Sequence, residues 1–280
     1  MLVNLNQVLK EGRERDIGVP AINTPNLETI MAAIKVAEEL NIPLIIAHAQ
    51  LHEAVIDIET IGPIMLMLAK RAKVPVCVHL DHGESYEFCV KAIDLGFTGV
   101  MIDASTKPYE ENITITKKVV EYAHKHNVGV EAELGCLPNR ESGGMSDGDP
   151  TKLYTDPKLV PHFVATTGVD ALAIAFGTAH GIYKVKPVLS IDVIRKVREV
   201  SDIPLVMHGG SGLAHSDYRN AIEAGITKIN YYTYMSYEGY AAAKTLIEKQ
   251  PTGFYHDICT VATIAEENKL KEIMAVFAGK

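Results

Sequence analysis

The sequence predicts an α/β protein with the architecture of a (β/α)8, or TIM, barrel. Eight short apolar runs each begin beside a proline or a glycine, and helical patterns separate them. Continuous apolar strands joined by helices indicate a parallel sheet that is covered on both faces. Eight such units in 280 residues favour a closed barrel over an open sheet. Although the length alone would also allow two domains, we expect residues 1–280 to form a single domain.

The predicted strands follow one another along the whole chain. Their starts, in chain order, are Val19, Ile42, Val74, Gly96, Val128, Gly168, Ile203 and Gly225. Between the first two, residues 27–40 have apolar side chains three and four positions apart, which is typical of a helix with one buried face. Residues 85–96 show a similar pattern and end in glycine, a common helix terminator. No GxGxxG motif follows the first strand, which disfavours a nucleotide-binding sheet.

Charge and composition argue against several classes of function. The net charge is −8 and the Lys and Arg residues are scattered, so we expect binding to neither nucleic acid nor an anionic membrane. The sequence has neither a signal-peptide pattern nor the run of about 18 apolar residues that a membrane span needs. The four cysteines show no paired metal-type spacing. We therefore expect a soluble cytoplasmic protein.

Polar residues stand at the ends of all eight predicted strands. They are Asn23, His48, Asp81 with His82, Asp103 with Ser105, Glu131 with Glu133, His180, His208 and Asn230. In a (β/α)8 barrel the carboxyl ends of the strands and the loops that follow them build the active site. A single histidine near a strand end is more often structural than a ligand, but this many polar ends on one rim indicate a site.

The segment VHLDHGES (78–85) places two histidines and an aspartate at one of these ends. Alternation along the strand directs Cys77, His79 and Asp81 to one face, with His82 in the following loop. Asp81 and His82 then both reach the mouth of the barrel. His79 lies one layer deeper, where we expect a neutral, hydrogen-bonded packing residue.

Three histidines at different strand ends predict a metal centre. His82, His180 and His208 would supply three neutral imidazoles and leave one coordination position open, which suits a catalytic zinc ion. Ligands that are distant in sequence leave no local signature. On sequence grounds alone, three other histidines therefore compete for this role, namely His48, His52 and His215.

Glycines flank two of the proposed ligands, in GTAHG (177–181) and in HGGSG (208–212). Successive N–H groups of Gly209, Gly210 and Ser211 could cradle a phosphate after the seventh strand, the usual place in such barrels. The alternative is an ordinary glycine-rich turn between a strand and a helix.

Six segments taken together resemble the class II, metal-dependent fructose- and tagatose-bisphosphate aldolases. In the family's order they are HLDHGES, GFTGVMIDAS, VEAELG, GTAHGIYK, HGGSG and TKIN, and the resemblance covers about residues 19–233. It implies a (β/α)8 fold with zinc held by His82, His180 and His208. It also implies reversible cleavage of a fructose- or tagatose-1,6-bisphosphate type of ketose to dihydroxyacetone phosphate and an aldehyde.

The resemblance further implies roles for individual residues. Asp81 would exchange a proton with the hydroxyl formed from the aldehyde oxygen, and Glu141 would transfer a proton at the donor carbon. Glu141 falls in a glycine-rich segment, so we expect a mobile active-site loop at 135–150. The residues implied to contact dihydroxyacetone phosphate are Gly181, Gly209, Ser211, Asn230 and Thr233, with Asn23 available to the aldehyde.

The surroundings of the metal and the assembly also follow from the resemblance. Asp103 and Glu133 would lie close to the metal, and a Na⁺ or K⁺ ion would accompany the substrate phosphate. Relatives form dimers or tetramers, so we expect a homodimer or homotetramer. Tyr234, Tyr237 and Tyr240 combine apolar area with a hydroxyl, and we expect packing or subunit contacts for at least two of them.

Several positions depart from the family pattern. Pro138 and Asn139 replace a common glycine pair in the loop of Glu141, and Tyr232 stands where relatives often have a small or acidic residue. Gly253 lies near the place of an arginine that grips the second phosphate, and Ala49 replaces a serine of some fructose-bisphosphate enzymes. Because a guanidinium binds phosphate in a bidentate manner, its loss matters for substrate choice.

Other functions therefore stay open. The alternative substrate is a ketose 1-phosphate whose aldehyde product lacks a second phosphate. Two further classes are a zinc-binding barrel without aldolase turnover and a metal-dependent hydrolase on the same fold.

Overall fold

The computed structural model has eight parallel strands that form a closed barrel, which confirms the predicted fold class. It describes residues 1–136, 153–183, 186–250 and 252–280. The strands are β1 (Val19–Asn23), β2 (Leu44–Ala49), β3 (Val76–Gly83), β4 (Gly99–Ile102), β5 (Gly129–Leu134), β6 (Ala171–Ile174), β7 (Leu205–Met207) and β8 (Ile226–Tyr231). Each strand pairs with the next, and β8 pairs with β1, where Ala21 lies opposite Asn230.

Helices alternate with the strands and cover the barrel. They are α1 (Leu5–Glu14), α2 (Leu27–Leu40), α3 (Ile58–Arg71), α4 (Tyr86–Asp94), α5 (Tyr109–Lys125), α6 (Val160–Thr167), α7 (Ile191–Val200), α8 (His215–Ala224), α9 (Thr233–Lys249) and α10 (Tyr255–Phe277). Short 3-10 turns span Gln50–Ala54 and Pro157–Leu159. Among the described residues, no helix has both the length and the apolar character needed to cross a membrane.

The predicted helix over residues 27–40 is confirmed as α2. The Asn26 side chain accepts a hydrogen bond from the Thr29 N–H at its start, and Asn41 ends the helix in a left-handed conformation. The same logic accounts for α4, where the Ser85 hydroxyl caps the start and Gly96 follows the end with φ 98°. Capping side chains satisfy N–H groups that a helix leaves free, so these boundaries are encoded locally.

Strand β3 carries one correction to the prediction. His82 belongs to the strand instead of the loop after it, and it has a left-handed φ of 47°. The pairing of β3 with β4 shifts between Leu80 and Gly83, where two residues of β3 face one of β4. Such a bulge breaks the alternation of side chains, so Asp81 and His82 can both face the barrel mouth although they are consecutive. Below the bulge the side chains alternate as predicted, as shown by Val78 and Leu80, which both pack in the outer core.

Helix α1 closes the amino-terminal end of the barrel. Leu5, Val8 and Leu9 are fully buried and pack in a small inner core that includes Val19 and Cys77. A capping box at Asn4 starts the helix. The barrel interior therefore ends in a layer of apolar side chains, on the side opposite to the predicted site.

The carboxyl-terminal helix α10 is 23 residues long. Its buried residues include Leu270, Met274 and Phe277, and it packs against α2 and α9. The Phe277 ring lies edge-on to Tyr218, with ring centroids 5.0 Å apart. On α9, by contrast, Tyr237 and Tyr240 are 53% and 65% exposed, so neither is a core residue of this chain.

Replacement of Leu9 by alanine should destabilise the barrel. The substitution opens a cavity in the inner core, and such changes lower the free energy of unfolding by about 2–5 kcal/mol. Urea denaturation followed by circular dichroism measures the difference. Lys10→Ala is the matched control, because the Lys10 side chain on the same helix is 76% exposed. Equal stability of the two variants would show that α1 does not seal the barrel.

Candidate active site

A cavity of about 560 Å³ opens at the carboxyl ends of the strands. Most of the predicted site residues line it, so the strand ends named from the sequence lie together in the structure. These residues are Asn23, Asp81, His82, Asp103, Glu133, His180, Gly181, Gly209, Ser211, Asn230 and Thr233. Glu141 and most of the predicted loop at 135–150 lie outside the described residues, whereas Cys136 at the start of that loop lines the cavity.

The three predicted metal ligands come together at this cavity. Nitrogen atoms of His82, His180 and His208 all lie within 4.8 Å of one another. His82 Nε2 and His208 Nδ1 are 2.9 Å apart, and the His180 ring is perpendicular to the His82 ring with centroids at 5.0 Å. Three convergent imidazoles are a donor set that catalytic zinc sites use, so these residues fit a divalent metal ion.

Carboxylates orient two of the three imidazoles. His82 Nδ1–H donates to Asp103 Oδ2 at 2.9 Å, and His208 Nε2–H donates to Glu131 Oε1 at 2.7 Å. A proton held on one ring nitrogen leaves the lone pair of the other nitrogen for a metal. Asp103 is itself fixed by the Ser105 hydroxyl, which donates to Oδ1 at 2.7 Å. The predicted position of Asp103 beside the metal ligands is therefore where its side chain lies.

Glu131 is the main residue whose position the sequence prediction did not explain. Its side chain is fully buried, and its Oε2 lies 2.7 Å from Nζ of Lys228, which is also fully buried. Burial raises the pKa of Glu131, but Lys228 and His208 outweigh burial and lower it to about 2. Glu131 is therefore an anion that bridges Lys228 and His208. The sequence does contain a signal for this role. Lys228 lies two positions before Asn230 and therefore faces the barrel interior with it, and a buried ammonium group needs a carboxylate partner.

His79 lies below the ligands, as predicted, but without the expected hydrogen bond. Neither ring nitrogen has a hydrogen-bond partner among the described residues, and Nε2 is 3.6 Å from Glu131 Oε2. Burial and the nearby Lys228 lower its pKa to about 3, so the ring is neutral. The prediction of a buried neutral residue is confirmed, and the prediction of a hydrogen bond is wrong within the described residues, because 3.6 Å is beyond hydrogen-bond distance.

Asp81 lines the cavity, and two side-chain amides hold its carboxylate. Asn23 Nδ2 donates to its Oδ2 at 3.1 Å, and Asn230 Nδ2 donates to its Oδ1 at 3.0 Å. Burial raises the pKa of Asp81, but the positive potential of His82, His208 and Lys228 outweighs burial and holds it well below the usual range. Asp81 is thus a buried carboxylate in its ionised form.

The glycine turns after β6 and β7 approach each other closely. Gly209 has a left-handed φ of 63°, and a Cβ there would lie 2.6 Å from the carbonyl oxygen of Ala179. Tyr183, which the sequence analysis did not single out, joins the two turns. Its hydroxyl accepts a hydrogen bond from the Ala179 N–H at 2.8 Å and donates to the Gly209 carbonyl at 2.9 Å. The two turns that carry His180 and His208 are therefore fixed relative to each other.

The three competing histidines lie outside the described clusters of metal-type side chains. His215 is on the barrel exterior and pairs with Glu272 at 3.1 Å. His48 Nε2–H donates to Glu53 Oε1 at 2.9 Å. His52 lines the cavity, but at a distance from the cluster.

The family assignment follows from the whole chain. The sequence model described as "Fructose-bisphosphate aldolase class-II" matches residues 3–280. The chain belongs to the class II fructose-bisphosphate aldolase family. It is therefore an aldolase, an enzyme that breaks and forms carbon–carbon bonds, and its family is metal-dependent.

Individual relatives agree with this assignment. The aldolase is 40% identical over 253 residues to fructose-bisphosphate aldolase from Geobacillus stearothermophilus, covering 89% of this chain and 87% of that one. It is 41% identical over 235 residues to the same-named protein of Staphylococcus aureus strain Mu50, covering 83% and 81%. The crystal structure of the YdjI aldolase from Escherichia coli K12 superposes with a TM-score of 0.86 at 32% identity, covering 99% and 97%.

The electrostatics of the aldolase site favour a cation between the histidines. Burial lowers the pKa of His82, but Asp81, Asp103 and Glu133 outweigh burial and raise it to about 9. Burial and the other two rings lower the pKa of His180 to about 3. The carboxylates therefore stabilise positive charge at one point of the cluster, and a divalent ion would take the place of the His82 proton.

Replacement of Glu131 by glutamine should weaken metal binding. The change keeps an oxygen acceptor for His208 but removes the negative charge that makes its ring more basic, and loss of such a partner typically costs about 10- to 100-fold in metal affinity. Competition with a chromophoric zinc chelator measures the affinity. Glu121→Gln on the exposed face of α5 is the control.

The double variant Glu131→Gln/Lys228→Met separates metal binding from stability. The single change leaves a buried ammonium without its partner, which costs about 3–5 kcal/mol, and removal of the ammonium should recover most of this loss. We expect the double variant to remain weak in metal binding. Wild-type metal affinity in the folded double variant would contradict the role given to Glu131.

Proposed function

We propose that this aldolase reversibly cleaves a ketose phosphate, of the fructose- or tagatose-1,6-bisphosphate type, to dihydroxyacetone phosphate and an aldehyde. The observation that carries the proposal is the cluster of three imidazoles, two of which, His82 and His180, line the same cavity as the carboxylate of Asp81. The fructose-bisphosphate aldolases of Geobacillus stearothermophilus and Staphylococcus aureus, to which the chain is similar, support the substrate class.

We propose zinc as the resident metal, held by His82, His180 and His208. The support is the set of three nitrogen ligands, because such ligands bind zinc in preference to harder divalent cations. When bound, zinc withdraws electron density from the donor carbonyl and makes the adjacent carbon acidic. The role of Asp103 and Glu131 is to hold His82 and His208 in the orientation and tautomer that leave a lone pair for the metal.

Asp81 is proposed as the proton acceptor in cleavage. It would take the proton of the substrate hydroxyl as the adjacent carbon–carbon bond breaks and the aldehyde carbonyl forms. The electron pair of the broken bond stays with the donor carbon, which then takes up a proton. We assign that second proton transfer to Glu141, which lies outside the described residues. Condensation is the same sequence in reverse.

The phosphate of the donor is proposed to bind between the glycine turns and the start of α9. Gly181, Gly209 and Ser211 line this end of the cavity, and Thr233 is the first residue of α9. A helix N-terminus and free backbone N–H groups favour an anion. Asn230 would contact the oxygen-bearing end of the donor, and a Na⁺ or K⁺ ion would accompany the phosphate.

A second candidate substrate is a ketose 1-phosphate, whose aldehyde product has no phosphate. The support is the wall of the cavity beside Asn23, where the side chains of His52 and Tyr232 lie in edge-to-face contact, with ring centroids 5.2 Å apart. Tyr232 is one of the departures from the family pattern. An imidazole and a phenol offer polar contacts suited to hydroxyl groups.

The donor half-reaction tests the proposed function without knowledge of the aldehyde. Zinc-loaded protein in deuterated water should exchange a proton at the hydroxymethyl carbon of dihydroxyacetone phosphate, and metal-stripped protein should not, because the carbon is acidic only beside the metal. Proton NMR follows the loss of signal. Absence of exchange from protein with a filled metal site would reject dihydroxyacetone phosphate as the donor.

Replacement of Asp81 by asparagine should separate the two half-reactions. Loss of a positioned general base typically costs about 10²- to 10⁴-fold in rate, so cleavage of the ketose should fall by that factor. Exchange at the donor carbon should persist, since another residue moves that proton. Zinc content by mass spectrometry shows whether the site is filled. A variant that retains zinc but loses both reactions would place Asp81 at the donor carbon instead.

A further inference from the structure

One wall of the cavity carries polar atoms that the proposed reaction does not use. It is formed where β8, β1 and β2 lie side by side, and it presents Tyr232, Asn23 and His52. Asn23 ends β1, Tyr232 follows β8, and His52 lies in the 3-10 turn after β2. The wall is thus adjacent to Asp81, to which Asn23 donates a hydrogen bond.

The His52 side chain is fixed in position, but one of its ring nitrogens lacks a hydrogen-bond partner among the described residues. Its side chain is only 5% exposed, and its Nδ1 has no hydrogen-bond partner among the described residues. The turn that carries it is fixed by Glu53, which accepts hydrogen bonds from His48 Nε2–H at 2.9 Å and from the Ile58 N–H at 2.7 Å. A buried nitrogen without a partner costs free energy, which a bound hydroxyl group would recover.

Asn23 has a similar unused atom. Its Nδ2 donates to Asp81, whereas its Oδ1 has no partner among the described residues. Asn23 and His52 both line the cavity next to the carboxylate that is proposed to act on the scissile bond, although each unpartnered atom is itself buried, so a substrate hydroxyl would reach it only after a rotation of the side chain. A ketose with its phosphate at the glycine turns and its scissile bond at Asp81 can extend its other half along this wall.

The charge state of the wall indicates the class of ligand. Burial, followed by the neighbouring His48, lowers the pKa of His52 below its usual value, so the ring is neutral at physiological pH. A neutral imidazole has one donor and one acceptor, and an amide has both. Sugar hydroxyls match these groups, whereas a phosphate dianion is best bound by guanidinium or ammonium groups.

We infer that His52, packed against Tyr232, forms with Asn23 the subsite for the aldehyde half of the substrate, and that this subsite accepts a hydroxylated, uncharged chain. The inference rests on the proposed function, in its donor half-reaction, and favours the second candidate substrate, a ketose 1-phosphate, over a 1,6-bisphosphate. His52 contacts the substrate in this assignment, but it takes no part in the proton transfers at the donor carbon.

Condensation assays with two aldehydes test the inference. Zinc-loaded enzyme receives dihydroxyacetone phosphate with either glyceraldehyde or glyceraldehyde 3-phosphate, and kcat/KM is measured for each aldehyde. We expect glyceraldehyde to be preferred by at least about 10-fold, and His52→Ala to lower its kcat/KM by about 10- to 100-fold, the range for one lost buried hydrogen bond. Deuterium exchange into the donor should stay at the wild-type rate.

Two further variants sharpen the assay. His52→Gln retains a donor and an acceptor and should recover most of the loss, which a purely packing role would not produce. His215→Ala is the matched control, since His215 is 56% exposed on α8. It should leave both aldehydes unaffected.

The outcomes distinguish the subsite from the proposed function. No exchange by wild-type enzyme would overturn the proposed function itself. If His52→Ala keeps normal deuterium exchange into the donor and an unchanged kcat/KM for glyceraldehyde, the subsite alone is overturned. A loss of exchange in His52→Ala would also overturn the subsite. If the enzyme prefers glyceraldehyde 3-phosphate and His52→Ala keeps that preference, the inference that the subsite accepts an uncharged aldehyde is overturned.

Discussion

The ion pair between Lys228 and Glu131 is the interaction on which the site depends. It crosses the barrel interior from β8 to β5, with both side chains fully buried and 2.7 Å between Nζ and Oε2. Buried ion pairs recover little net stability, because desolvation offsets their attraction. This pair keeps Glu131 ionised, and the other oxygen of Glu131 holds His208 in one orientation. The contribution of the pair is therefore to the geometry of the proposed metal ligands above it.

In the upper layer of the barrel, hydrogen bonds likewise hold the side chains of the site in fixed orientations. A bulge in β3 brings Asp81 and His82 to the mouth together, at the cost of a left-handed φ at His82. Such strained conformations persist only where the surrounding structure enforces them. Here the enforcement comes from Asp103, which holds the His82 ring, and from Asn23 and Asn230, which hold the Asp81 carboxylate. Contacts within the chain itself therefore hold this donor set in position.

The cavity has two ends of different character. The end between β6 and β8 has glycine turns, a helix N-terminus and residues that match the family motifs. The end at β1 and β2 has His52 and Tyr232, and here the sequence departs from the family. Gly253, the position near the family's arginine, is exposed close to the start of α10. The proposed donor half of the reaction therefore rests on residues that match the family motifs, and the proposed acceptor half rests on residues at which this chain departs from them.

Much of the structure was determined by sequence patterns that act locally. The spacing of apolar residues gave α2 its bounds, and Asn26 and Asn41 cap it. Strand ends located Asp81 and the three histidines, because parallel strands bring their carboxyl ends to one rim. The tertiary structure alone decided which distant groups meet. Glu131 and Lys228 are 97 residues apart, and the partners of Tyr183 and the position of His52 likewise depend on how the barrel closes. Periodicity specifies the face on which a side chain lies, but only closure of the barrel specifies the atom that it meets.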